Sequence, residues 1–162
     1  MSIIDTLVTD RGPGAWYGAA DLNRVESAVQ YLAEQLQAAP EDLQAHAAAL
    51  GVAWDQLFDV PYDPAAYDPE TKTDWTMQEF PTKPAMERYL SNVVTITAAL
   101  EAAYPELPDT MSNLTWTGAN AIERALELLH GALLDETARI TTLIDKAAAS
   151  WYYTAETYAG EV

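Results

Sequence analysis

The sequence predicts an all-α fold: an elongated three-helix bundle with a short additional helix and extended segments at both ends. Three observations predict it. Ile122, Leu126, Leu129, Leu133, Ile140 and Ile144 fall at spacings of 4, 3, 4, 7 and 4, one face of a single helix over residues 117–149. Leu22, Val25, Val29, Leu32 and Leu36 repeat the pattern at 3, 4, 3 and 4. Prolines and glycines cluster between such stripes, so breakers and periodic segments alternate along the chain. A one-sided stripe on a helix of about 45 Å cannot stand alone in water, and each stripe is the partner another needs.

In chain order, residues 1–19 form an arm and hinge. Ile3, Ile4, Leu7 and Val8 make an apolar group that suits one helical turn or a strand-like arm, and Gly12-Pro13-Gly14 then breaks any regular element. The bundle spans residues 20–150, with Ala20 or Asp21 at the cap position of its first helix. Pro40, followed by Glu41 and Asp42, marks a second, short helix over residues 40–50 that Gly51 ends, with one further turn at Trp54, Leu57 and Phe58. Residues 59–81 change to Pro, Asp, Tyr and Thr and read as a long surface loop pinned by Tyr62, Tyr67 and Trp75. Thr82 caps a helix expected over residues 82–103, with Met86, Leu90, Val93, Thr97 and Leu100 inward and Pro105 and Pro108 beyond its end. Residues 107–116 connect to the long helix. Residues 151–162 form a tail crowded with Trp151, Tyr152, Tyr153 and Tyr158.

One block repeats. Asn23-Arg24-Val25-Glu26-Ser27-Ala28 and Asn120-Ala121-Ile122-Glu123-Arg124-Ala125 share Asn, a β-branched residue, Glu and Ala without a gap, and read as copies. Pro84-Ala85-Met86-Glu87 is a weaker third match with Pro in place of Asn, for which shared amphipathicity is explanation enough.

Composition limits the chemistry. The chain has 162 residues, 49% of them hydrophobic and 20% charged, which fits one domain with a real core. Its apolar runs are too short for a spanning helix, and no signal peptide is expected. The absence of cysteine excludes disulfides, thiolate metal sites and cysteine nucleophiles. With 25 acidic and 8 basic residues the net charge is −17, so nucleic acid and anionic membranes are poor partners. Solvated helix faces account for much of that charge.

No enzyme and no cofactor are expected. Glu127 and His130 have the Glu-x-x-His spacing of di-iron bundles, but such sites need two of these motifs and further glutamates. Asp59, Asp63, Asp68, Glu70 and Asp74 lack the EF-hand pattern. The alternative reading is a small acidic helical protein that binds a cation or ligand through Glu127, His130 and this acidic loop. No glycine-rich phosphate loop or nucleophile elbow occurs.

Several phrases carry a family resemblance. They are Ser2-Ile3-Ile4-Asp5-Thr6-Leu7-Val8-Thr9-Asp10-Arg11, then Ala20-Asp21-Leu22-Asn23-Arg24-Val25 with Tyr17 upstream, and Thr73-Asp74-Trp75-Thr76. Pro81-Thr82 leading to Met86-Glu87-Arg88-Tyr89-Leu90, Leu114-Thr115-Trp116, Ala119-Asn120-Ala121-Ile122-Glu123 and the closing Ala159-Gly160-Glu161-Val162 follow in order. Together they resemble a virion structural protein of tailed phages and prophages of Gram-positive bacteria, tail- or baseplate-associated. The chain departs from that pattern between Arg11 and Trp16 and across residues 39–59. The resemblance implies location in the virion, a homo-oligomer, and other virion structural proteins as partners. The expected contacts are Ile3, Ile4, Leu7 and Val8 of the arm and Trp151, Tyr153 and Tyr158 of the tail, since aromatic side chains are enriched at interfaces.

Overall fold

The computed structural model describes residues 1–57 and 67–159. Every regular element in them is helical: α1 at Ala19–Ala49, α2 at Lys83–Thr97 and α3 at Trp116–Ala159, with short 3-10 turns at Ile3–Thr6 and Trp54–Gln56. The expected all-α bundle of three packed helices is what forms. Their lengths differ greatly, about 46, 22 and 66 Å at 1.5 Å per residue.

The helices run in the same direction. Near the starts of α1 and α3, Arg24 bonds Glu123; near the end of α1, His46 Nε2 lies 2.8 Å from Asp145 Oδ1. Both pairs are 99 residues apart in sequence, so the two helices are parallel and in register. The segment that leads into α2 touches α1 at Gln37, Glu26 and Asn23 in that order, and along α2 it passes from Thr95 and Ile96, beside Tyr67, to Asn92 and Arg88, which both bond Glu70 O. It descends along both, so α2 is parallel to them as well.

Parallel neighbours cannot be joined by short turns, and this explains the long connections. The two connections are return paths laid in grooves between helices, and the N-terminal segment lies in the remaining groove. Residues 2–11 descend between α1 and α3, residues 67–75 between α1 and α2, and residues 98–114 between α2 and α3. The loop over residues 59–81 thus has a structural purpose in its described part; Tyr62, Asp59 and Asp63 lie outside the described residues.

The core has two storeys. In the first, Val25, Val29, Leu32 and Leu36 of α1, Tyr89, Val93 and Ile96 of α2, and Ile122, Leu126 and Leu129 of α3 are buried together. In the second, past the end of α2, Leu43 and Ala47 of α1 meet Ile140, Ile144 and Ala148 of α3, with Val52 closing the end.

Three boundaries differ from expectation. Residues 40–50 are no separate helix, because α1 passes through Pro40 unbroken. Pro40 is buried and sits on the stripe, which continues Leu36, Pro40, Leu43, Ala47 at 4, 3 and 4; the packing of the following Leu43 and Ala47 on α3 outweighs the hydrogen bond that proline removes. Gly51 does end the helix, at φ +69°, with Val52 N–H on Ala47 O and Gly51 N–H on Ala48 O in a Schellman arrangement.

The helix α2 stops at Thr97, short of residue 103. Its last turns are the β-branched run Val93 to Thr97, and the Thr97 hydroxyl donates to Val93 O at 2.8 Å, competing for the helix's own carbonyls. Thr82 caps its start as expected, accepting Ala85 N–H at 3.4 Å.

At the other end, α3 does not give way to an extended tail near residue 150. Its backbone stays helical to Ala159, about ten residues past the position level with the end of α1. Thr115 Oγ1 caps its first turn by accepting Gly118 N–H at 3.1 Å.

Candidate functional site

The two repeated blocks build two copies of one device. Asn23 grips the backbone of Trp75 at two points, donating from Nδ2 to Trp75 O at 2.9 Å and accepting Trp75 N–H on Oδ1 at 2.7 Å. Asn120 grips Arg11 in the same way, at 3.0 Å in each direction. One helical turn on, Glu26 accepts Lys72 N–H at 2.9 Å and Glu123 accepts Val8 N–H at 2.6 Å. In both copies a step of three forward on the helix matches three back on the strand-like segment. Val8-Thr9-Asp10-Arg11 and Lys72-Thr73-Asp74-Trp75 are therefore equivalent segments, each docked antiparallel on a helix by an Asn-x-x-Glu pair.

Each glutamate also meets an arginine. Arg88 reaches Glu26 with both terminal nitrogens, at 2.6 and 3.0 Å. Arg24 reaches Glu123 with Nε and Nη2 at 2.9 and 2.8 Å, and Arg11 Nη2 bonds the same carboxylate. Glu123 is fully buried and Glu26 nearly so, yet no side-chain polar atom is buried without a hydrogen-bond partner among the described residues. Asp21 completes the first network, bonding Arg11 at 2.7 Å, Arg24 at 2.5 Å and Gly18 N–H at 2.9 Å.

The protonation shifts follow from these contacts. Burial works against the Asp21 carboxylate, but the Gly18 N–H and the Arg24 and Arg11 guanidiniums outweigh it and hold its pKa below the ordinary value. The Glu123 hydrogen bond pushes Arg24 further up, and that of Glu26 does the same for Arg88. Beside the network, Tyr17 and Tyr89 share a hydroxyl contact at 2.6 Å, and burial raises both phenols.

The clamps use three arginines against three carboxylates, so the interior is neutral. Of 25 acidic and 8 basic residues, 22 and 5 are left, and the whole −17 stands outside the clamps.

The third groove has no such device. In the aligned block Pro84 offers no amide, and Glu87 is exposed, 3.6 Å from Lys83. Residues 98–114 fill the third groove without a clamp, and an open groove of about 1100 Å³ remains between α2 and the returning residues 109–114, with Trp16, Tyr17, Met86, Leu90, Val94, Met111 and Leu114 in its lining. Because the helices are parallel, all three start at this end of the molecule. Four large apolar side chains precede or open those starts in contact with water: Trp16 (83% exposed), Met77, Phe80 and Trp116.

The arm expected to grip a neighbour is occupied by its own bundle. Ile4 is buried in the core, and Ile3 and Leu7 pack half-buried against it. Val8, also half-buried, spends its N–H on Glu123. The arm fills the α1/α3 groove because its backbone is clamped there. Trp151, Tyr153 and Tyr158 lie on the helical extension of α3, and their side chains lie outside the described residues.

The alternative ligand set does not converge. Glu127 bonds Arg124 at 2.5 Å, the His130 ring lies 6.1 Å from that of Tyr31, and Asp74 pairs with Lys72 at 2.6 Å. Among the described residues no group of three or more His, Asp or Glu side chains is placed to hold a metal ion. No described helix is long and apolar enough to cross a membrane.

The sequence disclosed the repeated block but not its use. A glutamate lying inside each apolar stripe, Glu26 between Val25 and Val29 and Glu123 between Ile122 and Leu126, together with the two Thr-Asp pairs, was the available signal. Comparison with protein-family models, curated proteins and solved structures finds no match to this chain.

Proposed function

We propose that the chain is a non-enzymatic structural subunit or connector of a tailed-phage particle, in the tail or baseplate, acting through contacts with other virion proteins and with copies of itself. The observation that carries this reading is the apolar end of the parallel bundle. Trp16, Met77 and Phe80 are each more than 80% exposed and Trp116 is 40% exposed, four large apolar side chains left in water ahead of or at the helix starts. Large apolar side chains left in water at one end of the bundle suit a surface that a partner covers.

The resemblance supports the same reading from another side. Its phrases supply Val8, Arg11, Asn23, Arg24, Trp75, Arg88, Asn120 and Glu123, most residues of the clamps, though not Glu26 or Lys72. The phrases that carry the resemblance thus include most of the residues that stitch this architecture together, which suits a rigid building unit.

The test is direct. Particles purified from a host that encodes the chain are analysed by mass spectrometry and by immunogold labelling. The reading predicts the chain in fixed stoichiometry with the other virion proteins, with label on the tail; its absence from intact particles contradicts the assignment.

A further inference from the structure

We infer that copies of this chain join head to tail, the C-terminal extension of α3 from one copy seating in the groove at the starting end of the next. The inference rests on the subunit reading above and names one of its contacts. Three observations lead to it.

The first is the stripe of α3, which does not stop where its partner does. Buried Ile140, Ile144 and Ala148 continue in the sequence as Trp151, Ala155 and Tyr158, at spacings of 4, 4, 3, 4 and 3. The backbone remains helical to Ala159, while α1 ends at Ala49, level with Ala148. About 15 Å of helix with an apolar period therefore extends past α1.

The second is the groove, which is apolar at its floor and walled by Trp16, Met86, Val94 and Met111. Its volume of about 1100 Å³ is in the range that takes several large side chains. The two sister grooves are filled by segments held in clamps; residues 98–114 fill the third without one, and the cleft between their last residues and α2 stands open.

The third is charge. A surface carrying −17 repels its own copies, so self-association needs contacts where neither side is charged. Residues 147–155 contain no charged side chain, and Glu156 is the one charged residue in the extension to Ala159. The groove lining contains three, Lys83, Glu87 and Asp109, of which the first two pair with each other. These are complementary low-charge surfaces at opposite ends of one molecule. A contact between unlike ends is heterologous and propagates as a ring or a filament, the geometry a repeated subunit requires.

The experiment uses the full-length chain and sedimentation velocity over a range of concentrations. The wild type should form species heavier than 17.7 kDa. Val94→Glu, at a half-exposed position in the groove wall, should weaken association about tenfold or more, and Trp151→Glu with Tyr158→Glu should do the same from the other end. Circular dichroism confirms that both variants keep their helix content.

Mixed together, the two variants hold one intact end each and should form a one-to-one dimer that goes no further. A wild type that stays monomeric, variants that assemble like the wild type, or a mixture that stays monomeric overturns the inference. The subunit reading stands or falls separately, on whether purified particles contain the chain.

Discussion

A fully buried carboxylate is tolerated only when its charge and its lone pairs are matched, and Glu123 meets that condition with one backbone N–H and two guanidiniums. Removing it strands Arg11 and Arg24. Glu123→Ala should therefore cost about 3 kcal/mol or more in urea unfolding, whereas Glu127→Ala, which breaks a surface pair with Arg124, should change stability by about 0.5 kcal/mol or less. Equal effects would mean that the clamp contributes no more than a surface contact. Asp21 adds a pH dependence with a definite sign. Its folded pKa is depressed, so its contribution is complete above the ordinary aspartate value near 3.8 and is lost as pH falls through the lower, folded value. The melting temperature should fall as pH drops below about 4, and Asp21→Asn should flatten part of that fall. An unchanged slope in the variant would remove Asp21 from the account.

At the scale of elements, the boundaries show how far local chemistry reaches. Gly51 takes φ +69°, where a Cβ is strained although the space around it is open, so Gly51→Ala should destabilise the chain by about 1 kcal/mol through the helix end alone. No loss in a thermal melt would contradict the Schellman reading. The stripes of α1 and α3 were legible from spacing, as were the Thr82 cap and the stop at Gly51. Pro40 misled because its local effect, a lost hydrogen bond, is visible in sequence while the compensating burial of the stripe around it, with Leu43 and Ala47 on α3, is not. The end of α2 was misplaced because prolines at 105 and 108 are obvious breakers and a run of β-branched residues is a quiet one. Helix direction was beyond reach altogether: an amphipathic stripe packs equally well parallel or antiparallel, and long connections permit either. The clamps escaped for the same reason, since an Asn-x-x-Glu pair acquires meaning only when a distant segment lies across it.

For the molecule as a whole, parallel helices have one consequence that antiparallel ones lack: the two ends are chemically different. Trp16, Met77, Phe80 and Trp116 gather at the starting end, and α3 continues alone among the helices past the other. The acidic surface then sets the conditions for assembly. Raising ionic strength from about 0.01 to 0.15 M shortens the screening length from about 30 to 8 Å, so self-association read by light scattering should strengthen with salt; weakening would point to ion pairs between copies instead. The claim beneath all of this is that the three helices point the same way, stitched by segments returning through the grooves. The chain contains no cysteine, so pairs of spin labels can be placed uniquely. Pulsed electron resonance should give a short distance, on the order of 10–20 Å, between labels at exposed Ala20 and Thr117, and a long one, about 40 Å, between Ala20 and Lys146. The reverse order, long for the first pair and short for the second, would make α1 and α3 antiparallel and contradict the account at its base.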